Sequence, residues 1–91
     1  MKLSEILTEM KPEQQCKAYY SDCRGRKNCF NGFIGKKYKD TNNPIHVYIR
    51  KYGLTVHQAL SIHVQLAHFN DNYEFSEGHK LAIKYLKGIG Q

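Results

Sequence analysis

The sequence predicts an all-α fold: a small single-domain bundle of four or five short helices around a central apolar helix at about 54–69, with an irregular basic loop at about 24–43. Three observations carry this expectation. The stretch LTVHQALSIHVQLAHF, Leu54 to Phe69, is the longest apolar run, has a helical period and contains no charged residue. Shorter segments on either side also repeat apolar residues at helical spacing, between residues that start and stop helices. The segment from Arg24 to Asn43, RGRKNCFNGFIGKKYKDTNN, holds three glycines and a cluster of turn formers. A length of 91 residues suits one domain, 1–91, with a modest core.

Taken in order, the first helix is expected from Ser4 to about Lys11, with Ser4 as its cap and Leu3, Ile6, Leu7 and Met10 on one face. Pro12 suits the first position of a second helix, through Glu13 to about Asp22. Cys16, Tyr19, Tyr20 and Cys23 fall there at the i, i+3, i+4, i+7 spacing of a buried face. In the basic loop Asn31-Gly32 is a hairpin signal, and Cys29-Phe30 with Phe33-Ile34 would form a minimal β-ribbon.

Ile45 to Tyr52 carries two patterns. Ile45, Val47 and Ile49 alternate like a strand, while Ile45, Tyr48, Ile49 and Tyr52 have helical spacing. Pro44 before them and Gly53 after them favour the helix. Gly53 and Thr55 then end one helix and cap the next. On a wheel of about 100° per residue, the apolar residues of 54–69 cover most of the circumference. His57, Gln58, Ser61, Gln65 and His68 form one polar stripe, so burial on several sides is expected. Asn70-Asp71-Asn72 reads as a stop, with a loop to Phe75. The last helix is capped by Ser76, carries Glu77 at its positive end and stops at Gly88. Leu81, Ala82, Tyr85 and Leu86 would face inward, and Lys80, Lys84 and Lys87 outward.

Composition restricts function more than it identifies it. The chain is 41% hydrophobic with a formal net charge of +6, and its pI is near 9.3. That balance favours an anionic partner: nucleic acid, an acidic protein surface or anionic lipid. No segment approaches the roughly 20 apolar residues of a membrane span. Glu5 and Glu9 interrupt the apolar part of the N-terminal stretch, so no secretory signal is read. A cytoplasmic, reducing setting with free thiols is expected.

Ile45 to Val64, IHVYIRKYGLTVHQALSIHV, resembles the helix-turn-helix DNA-binding motif over about twenty residues. The glycine of the turn falls on Gly53, and the positions the motif keeps apolar fall on Tyr48, Tyr52, Leu54, Ala59 and Ile62. The resemblance implies a recognition helix beginning at Thr55, with Thr55, His57, Gln58 and Ser61 as contacts. The sequence departs from the motif at Ile49, where a small residue normally lets the helices approach. It also has no Lys or Arg from Thr55 to His68, and those residues make the commonest specific major-groove contacts. A helical hairpin with a glycine turn is therefore preferred to DNA reading by this helix.

The second candidate is the basic loop. Arg24, Arg26, Lys27, Lys36, Lys37 and Lys39 lie between Asp22 and Asp40 with no acid among them, and Phe30, Phe33 and Tyr38 are interleaved. Cations neutralise phosphates, aromatics stack on unpaired bases, and glycines let backbone N–H groups approach an anion. An acidic protein surface suits the same residues, as does a solvated loop whose aromatics cover the core.

A zinc site of Cys16, Cys23, Cys29 and His46 is the third candidate. If 13–22 is helical, Cys16 and Cys23 stand roughly 10 Å apart along the axis, too far for one ion. Buried free thiols are the better reading. His57 and His68 lie about three turns apart, too far to act on one atom. No catalytic pair or phosphate loop is legible, and Lys80 could only assist a phosphate near the start of the last helix.

The expected function is therefore non-enzymatic. It is that of a small basic regulatory protein that binds nucleic acid directly, through the loop and the Lys80–Lys84–Lys87 stripe, without a cofactor. The alternative is an inhibitor or adaptor of the phage or mobile-element type, gripping an acidic surface of a host nucleic-acid enzyme. A homo-oligomer suits either.

Overall fold

The computed structural model describes residues 1–17, 27–39 and 43–91. Five α-helices are present among them: α1 (Leu3–Thr8), α2 (Phe30–Lys37), α3 (Pro44–Tyr52), α4 (Val56–Asn72) and α5 (Phe75–Gly88). There is no sheet among the described residues; a single parallel bridge joins Gln15 to Asn28. The all-α fold follows as expected. No helix is long and apolar enough to cross a membrane.

The core is one cluster in which Leu3, Ile6 and Leu7 of α1 meet Phe30 and Ile34 of α2, Tyr48 of α3, Ile62 and Leu66 of α4, and Ala82 and Leu86 of α5. The helix α4 is central, packing against α2, α3 and α5, while α1 closes the bundle against α2 and α5. The α4–α5 contact is close because of Gly78. A Cβ at that position would run into the Phe69 carbonyl oxygen.

Local chemistry explains the strongest boundaries. Gly53 adopts φ +66°, the left-handed region open to glycine, and its N–H returns to the Ile49 carbonyl at 3.1 Å. Thr55 Oγ1 then accepts from the Gln58 N–H at 3.1 Å, and Gln58 Oε1 accepts from the Thr55 N–H at 2.9 Å. That reciprocal pair is a capping box.

Several expectations are corrected. The ribbon around Asn31-Gly32 is instead α2, so the basic loop is helical over 30–37. Cys29 Sγ accepts from the Gly32 N–H at 3.4 Å, and the Phe30 N–H donates to Asn70 Oδ1 at 3.2 Å. Phe30 and Ile34 then bury one face at i, i+4 spacing. Where the second helix is expected to begin, the described residues form a 3₁₀ turn, Pro12–Gln14, after which Gln15 is extended. The bridge with Asn28 holds it, through Cys16 N–H to Asn28 O at 3.0 Å and Asn28 N–H to Gln14 O at 2.7 Å. The proposed face of Tyr19, Tyr20 and Cys23 lies outside the described residues.

The helix α1 starts one residue before Ser4, with Lys2 at the cap, and ends at Thr8 rather than Lys11. Ser4 is buried instead of capping. Its N–H and Oγ both donate to the Gln91 carbonyl, at 2.8 and 3.0 Å, tying the end of the described chain to α1. Asn70-Asp71-Asn72 does not stop α4, which runs through Asn72, because Asn70 is buried and fully engaged. Its Oδ1 accepts from Gln15 Nε2 at 3.1 Å as well as from Phe30, and its Nδ2 donates to the Cys16 carbonyl at 3.1 Å. The loop before α5 is thus only Tyr73 and Glu74, and Ser76 lies inside α5, not at its cap. Gly88 is the last residue of α5, and Gly90, at φ +80°, takes the left-handed turn.

The largest correction concerns α4 itself. It is buried along one face only, at Ala59, Ile62, Leu66 and Asn70. Its neighbours cover that side and leave the opposite side to solvent. Val56, Leu60 and Val64 are 61%, 45% and 61% exposed.

Candidate nucleic-acid interface

Four of the described cations stand at the C-terminal ends of α2 and α3. Both helices have basic last turns, Lys36 and Lys37 in α2 and Arg50 and Lys51 in α3. Cations there are favoured by the negative end of the helix dipole. The two ends are joined by Tyr38 and Tyr52, whose hydroxyl oxygens are 2.8 Å apart. Tyr52 donates to the Met1 carbonyl at 2.7 Å, so the bond between the phenols is donated by Tyr38. The rings meet edge to face, with centroids 6.0 Å apart. Burial, and then the hydrogen bond with Tyr38, push the Tyr52 phenol up from its ordinary range, so it stays protonated.

A shallow depression opens beside this pair, lined by Met1, Lys2, Glu5, Tyr38, Lys51, Tyr52 and Gln91. Lys39 follows Tyr38 directly and is exposed, at φ 60°. The result is a basic corner built from three helices, in which Glu5 is the acid lining the depression. Arg50, Lys51 and Lys2 belong to it, and sequence reasoning missed all three. Two lysine- or arginine-bearing helix ends followed by tyrosines were the available signal.

The predicted site residues distribute unevenly. Lys36 and Lys37 are exposed in the last turn of α2 and line a depression with Ile6, Glu9, Gln14 and Phe33, Lys39 and Lys27 are exposed, and Arg24 and Arg26 lie outside the described residues. Phe30 is fully buried against Phe75 and His79, so it cannot stack on a base. Phe33 is half-buried beside Ile6, Glu9 and Gln14. Tyr38 is engaged with Tyr52. Lys80, Lys84 and Lys87 form the expected exposed stripe on α5.

The helix-turn-helix-like unit is formed by α3, Gly53 and α4. Tyr48, Ala59 and Ile62 are buried and Tyr52 and Leu54 half-buried, as the motif would place them. Ile49 is half-buried against the core. Thr55, His57, Gln58 and Ser61 are exposed, beside Val56 and Leu60.

Among the described residues no group of three or more His, Cys, Asp or Glu side chains could hold a metal. Cys29 is the buried cap of α2, and burial pushes its thiol up to about 11. Cys16 follows the extended Gln15 rather than standing in a helix, so the helical spacing argued against zinc does not apply to it. Cys23 lies outside the described residues. His46 is exposed, its Nε2 lying 3.2 Å from Asn43 Nδ2. His63 is half-buried, and desolvation lowers its pKa.

Compared with protein-family models, curated proteins and solved structures, the chain matches none.

Proposed function

We propose that the protein is a non-enzymatic regulator that binds nucleic acid through its phosphate backbone at the basic corner. The observation that carries this reading is the meeting of two basic helix ends at Tyr38 and Tyr52. Lys2 and Lys51 line the depression beside that pair, Arg50 precedes Lys51 in the last turn of α3, and Lys36 and Lys37, in the last turn of α2, line a neighbouring depression with Glu9 and Phe33. Cations converging from separate elements form a phosphate-binding surface that tracks a backbone without reading bases. The Lys80–Lys84–Lys87 stripe supplies a second cationic strip on α5.

Lys37→Glu with Lys51→Glu tests the reading. The pair should weaken binding to a short duplex at low salt by 100-fold or more, as an order-of-magnitude expectation for reversing two phosphate contacts. Lys80→Glu with Lys84→Glu should weaken it less.

A second reading is favoured by one feature of the same corner. Among the described residues no aromatic side chain of this region is fully exposed: Tyr38 and Tyr52 pair edge to face and are half-buried, as is Phe33, and Phe30 is buried. Carboxylates of an acidic protein, such as a nucleic-acid enzyme under inhibition, suit that chemistry as well as phosphates do. Capture of a partner that survives nuclease treatment supports the protein; its loss supports nucleic acid. Base reading by α4 is the weakest reading, because no cation stands between Leu54 and Asn70.

A further inference from the structure

The outer face of α4 carries three of the five large apolar side chains exposed among the described residues: Val56, Leu60 and Val64. They stand at i, i+4 and i+8, so they form one line along the helix. A single exposed apolar residue is ordinary, whereas these three make one continuous apolar strip. Beside it runs a second line, His57, Ser61 and Gln65, polar and uncharged.

Charge selects what covers this face. The chain has 14 Lys and Arg and 8 Asp and Glu, yet none of these falls between Leu54 and Asn70. Phosphates or an acidic protein would find no cation here and would gain nothing over the basic corner. A second copy, at net charge +6, meets repulsion at the basic faces and none along this one.

Sequence symmetry makes the same selection. Val56, Leu60, Val64 reads identically in both directions. An antiparallel crossing about a two-fold axis at Leu60 therefore sets Leu60 against the partner's Leu60 and Val56 against the partner's Val64. In the polar line it sets His57 between the partner's Ser61 and Gln65. The strip thus meets itself with apolar against apolar at all three positions, as an isologous interface on this face needs.

We propose that two copies of the chain form a symmetric dimer by antiparallel packing of α4 on α4. The helix is about 25 Å long at 1.5 Å per residue, so the contact is small even with Tyr85 and Ile89 at its edge. Such an interface dissociates readily, giving a dimer that depends on concentration.

Sedimentation equilibrium of the whole chain should show a reversible monomer–dimer mixture. Leu60→Lys, which sets like charges face to face, should weaken it by roughly 100-fold or more. Because Leu60 is exposed, the helical circular dichroism should be unchanged. Position-specific cross-linking tests the geometry, with the parent chain as control for its own thiols. Leu60→Cys should link to itself, while Val56→Cys and Val64→Cys should link only when mixed. A monomer at every concentration overturns the proposal, including one that instead captures another protein through this face. So does a dimer indifferent to Leu60→Lys, or self-linking by Val56→Cys.

Discussion

The Tyr48 hydroxyl donates to Asn31 Oδ1 at 2.6 Å, and Asn31 Nδ2 donates in turn to the His63 carbonyl at 2.9 Å. One buried relay thus crosses α3, α2 and α4. It fixes how α3 and α2 sit against the helix that carries the outer apolar line. Tyr48→Phe keeps the ring and removes the donor, leaving Asn31 Oδ1 buried without it. A loss of about 1–3 kcal/mol is expected in urea denaturation, the cost of a buried acceptor left unsatisfied.

Asn70 joins α4 to the start of α2 and to the bridged segment at Gln15 and Cys16. Asn70→Ala removes the side-chain partner of the Phe30 N–H and of the Cys16 carbonyl, while the Gln15 amide keeps only its bond to the backbone carbonyl of residue 70, at 3.3 Å. The expected loss is about 2–4 kcal/mol, greater than for Tyr48→Phe because several groups lose partners. Amide hydrogen exchange should accelerate first in α2, whose N-terminal turn depends on this contact.

Gly78 allows α5 to lie on the Phe69 backbone. Gly78→Ala improves helix propensity by about 1 kcal/mol in isolation. Here the methyl group meets a carbonyl oxygen that is part of the helix and cannot rotate away. Net destabilisation of about 1–3 kcal/mol follows, and thermal unfolding measures it. The control is Gly88→Ala, whose Cβ would meet nothing within 4 Å; it should be neutral or mildly stabilising.

Stability should fall at both ends of the pH scale. His63 has a lowered pKa in the folded state, so the unfolded chain binds more protons in acid. Its contribution is full above the unfolded pKa of about 6.5 and is lost as pH falls through the folded value. Cys29 behaves oppositely. Its folded pKa of about 11 lies above the unfolded value, so its contribution is present below about pH 9 and is lost as pH rises towards 11. Denaturation midpoints across pH 5 to 11 check both signs, with Cys29→Ser reducing the alkaline decline and the raised Tyr52 phenol supplying part of what remains. Serine is also a favoured helix cap. In the native protein Cys29 should alkylate more slowly than Cys16, which is only half-buried.

What the chain reveals before folding depends on the range of the interactions. The α3–Gly53–α4 hairpin was legible because its signals are local: Pro44, Gly53, Thr55 and Gln58 act within a few residues. The helix α2 was not, because its cap is a thiol and its first N–H answers to Asn70, forty positions away. Asn31-Gly32 then imitated a hairpin turn. The wheel of α4 identified its polar stripe but not its covered face, since apolar residues lie nearly all round and only the number of neighbours decides which are buried. For the interface, Lys36, Lys37 and Lys39 were visible as charge. That the basic end of α2 adjoins the basic end of α3 rests on the bond between Tyr38 and Tyr52, which sequence spacing does not announce.

The phosphate-binding reading of the corner is tested most directly by fluorescence anisotropy of a labelled short DNA duplex, titrated with the protein at a series of salt concentrations. The logarithm of the binding constant should fall linearly with the logarithm of salt. A slope of about −3 to −5 is expected for roughly four or five phosphate contacts at the corner. Lys37→Glu with Lys51→Glu should flatten that slope by about 2. Absence of binding at low salt, or a slope unchanged by those two substitutions, would contradict the account.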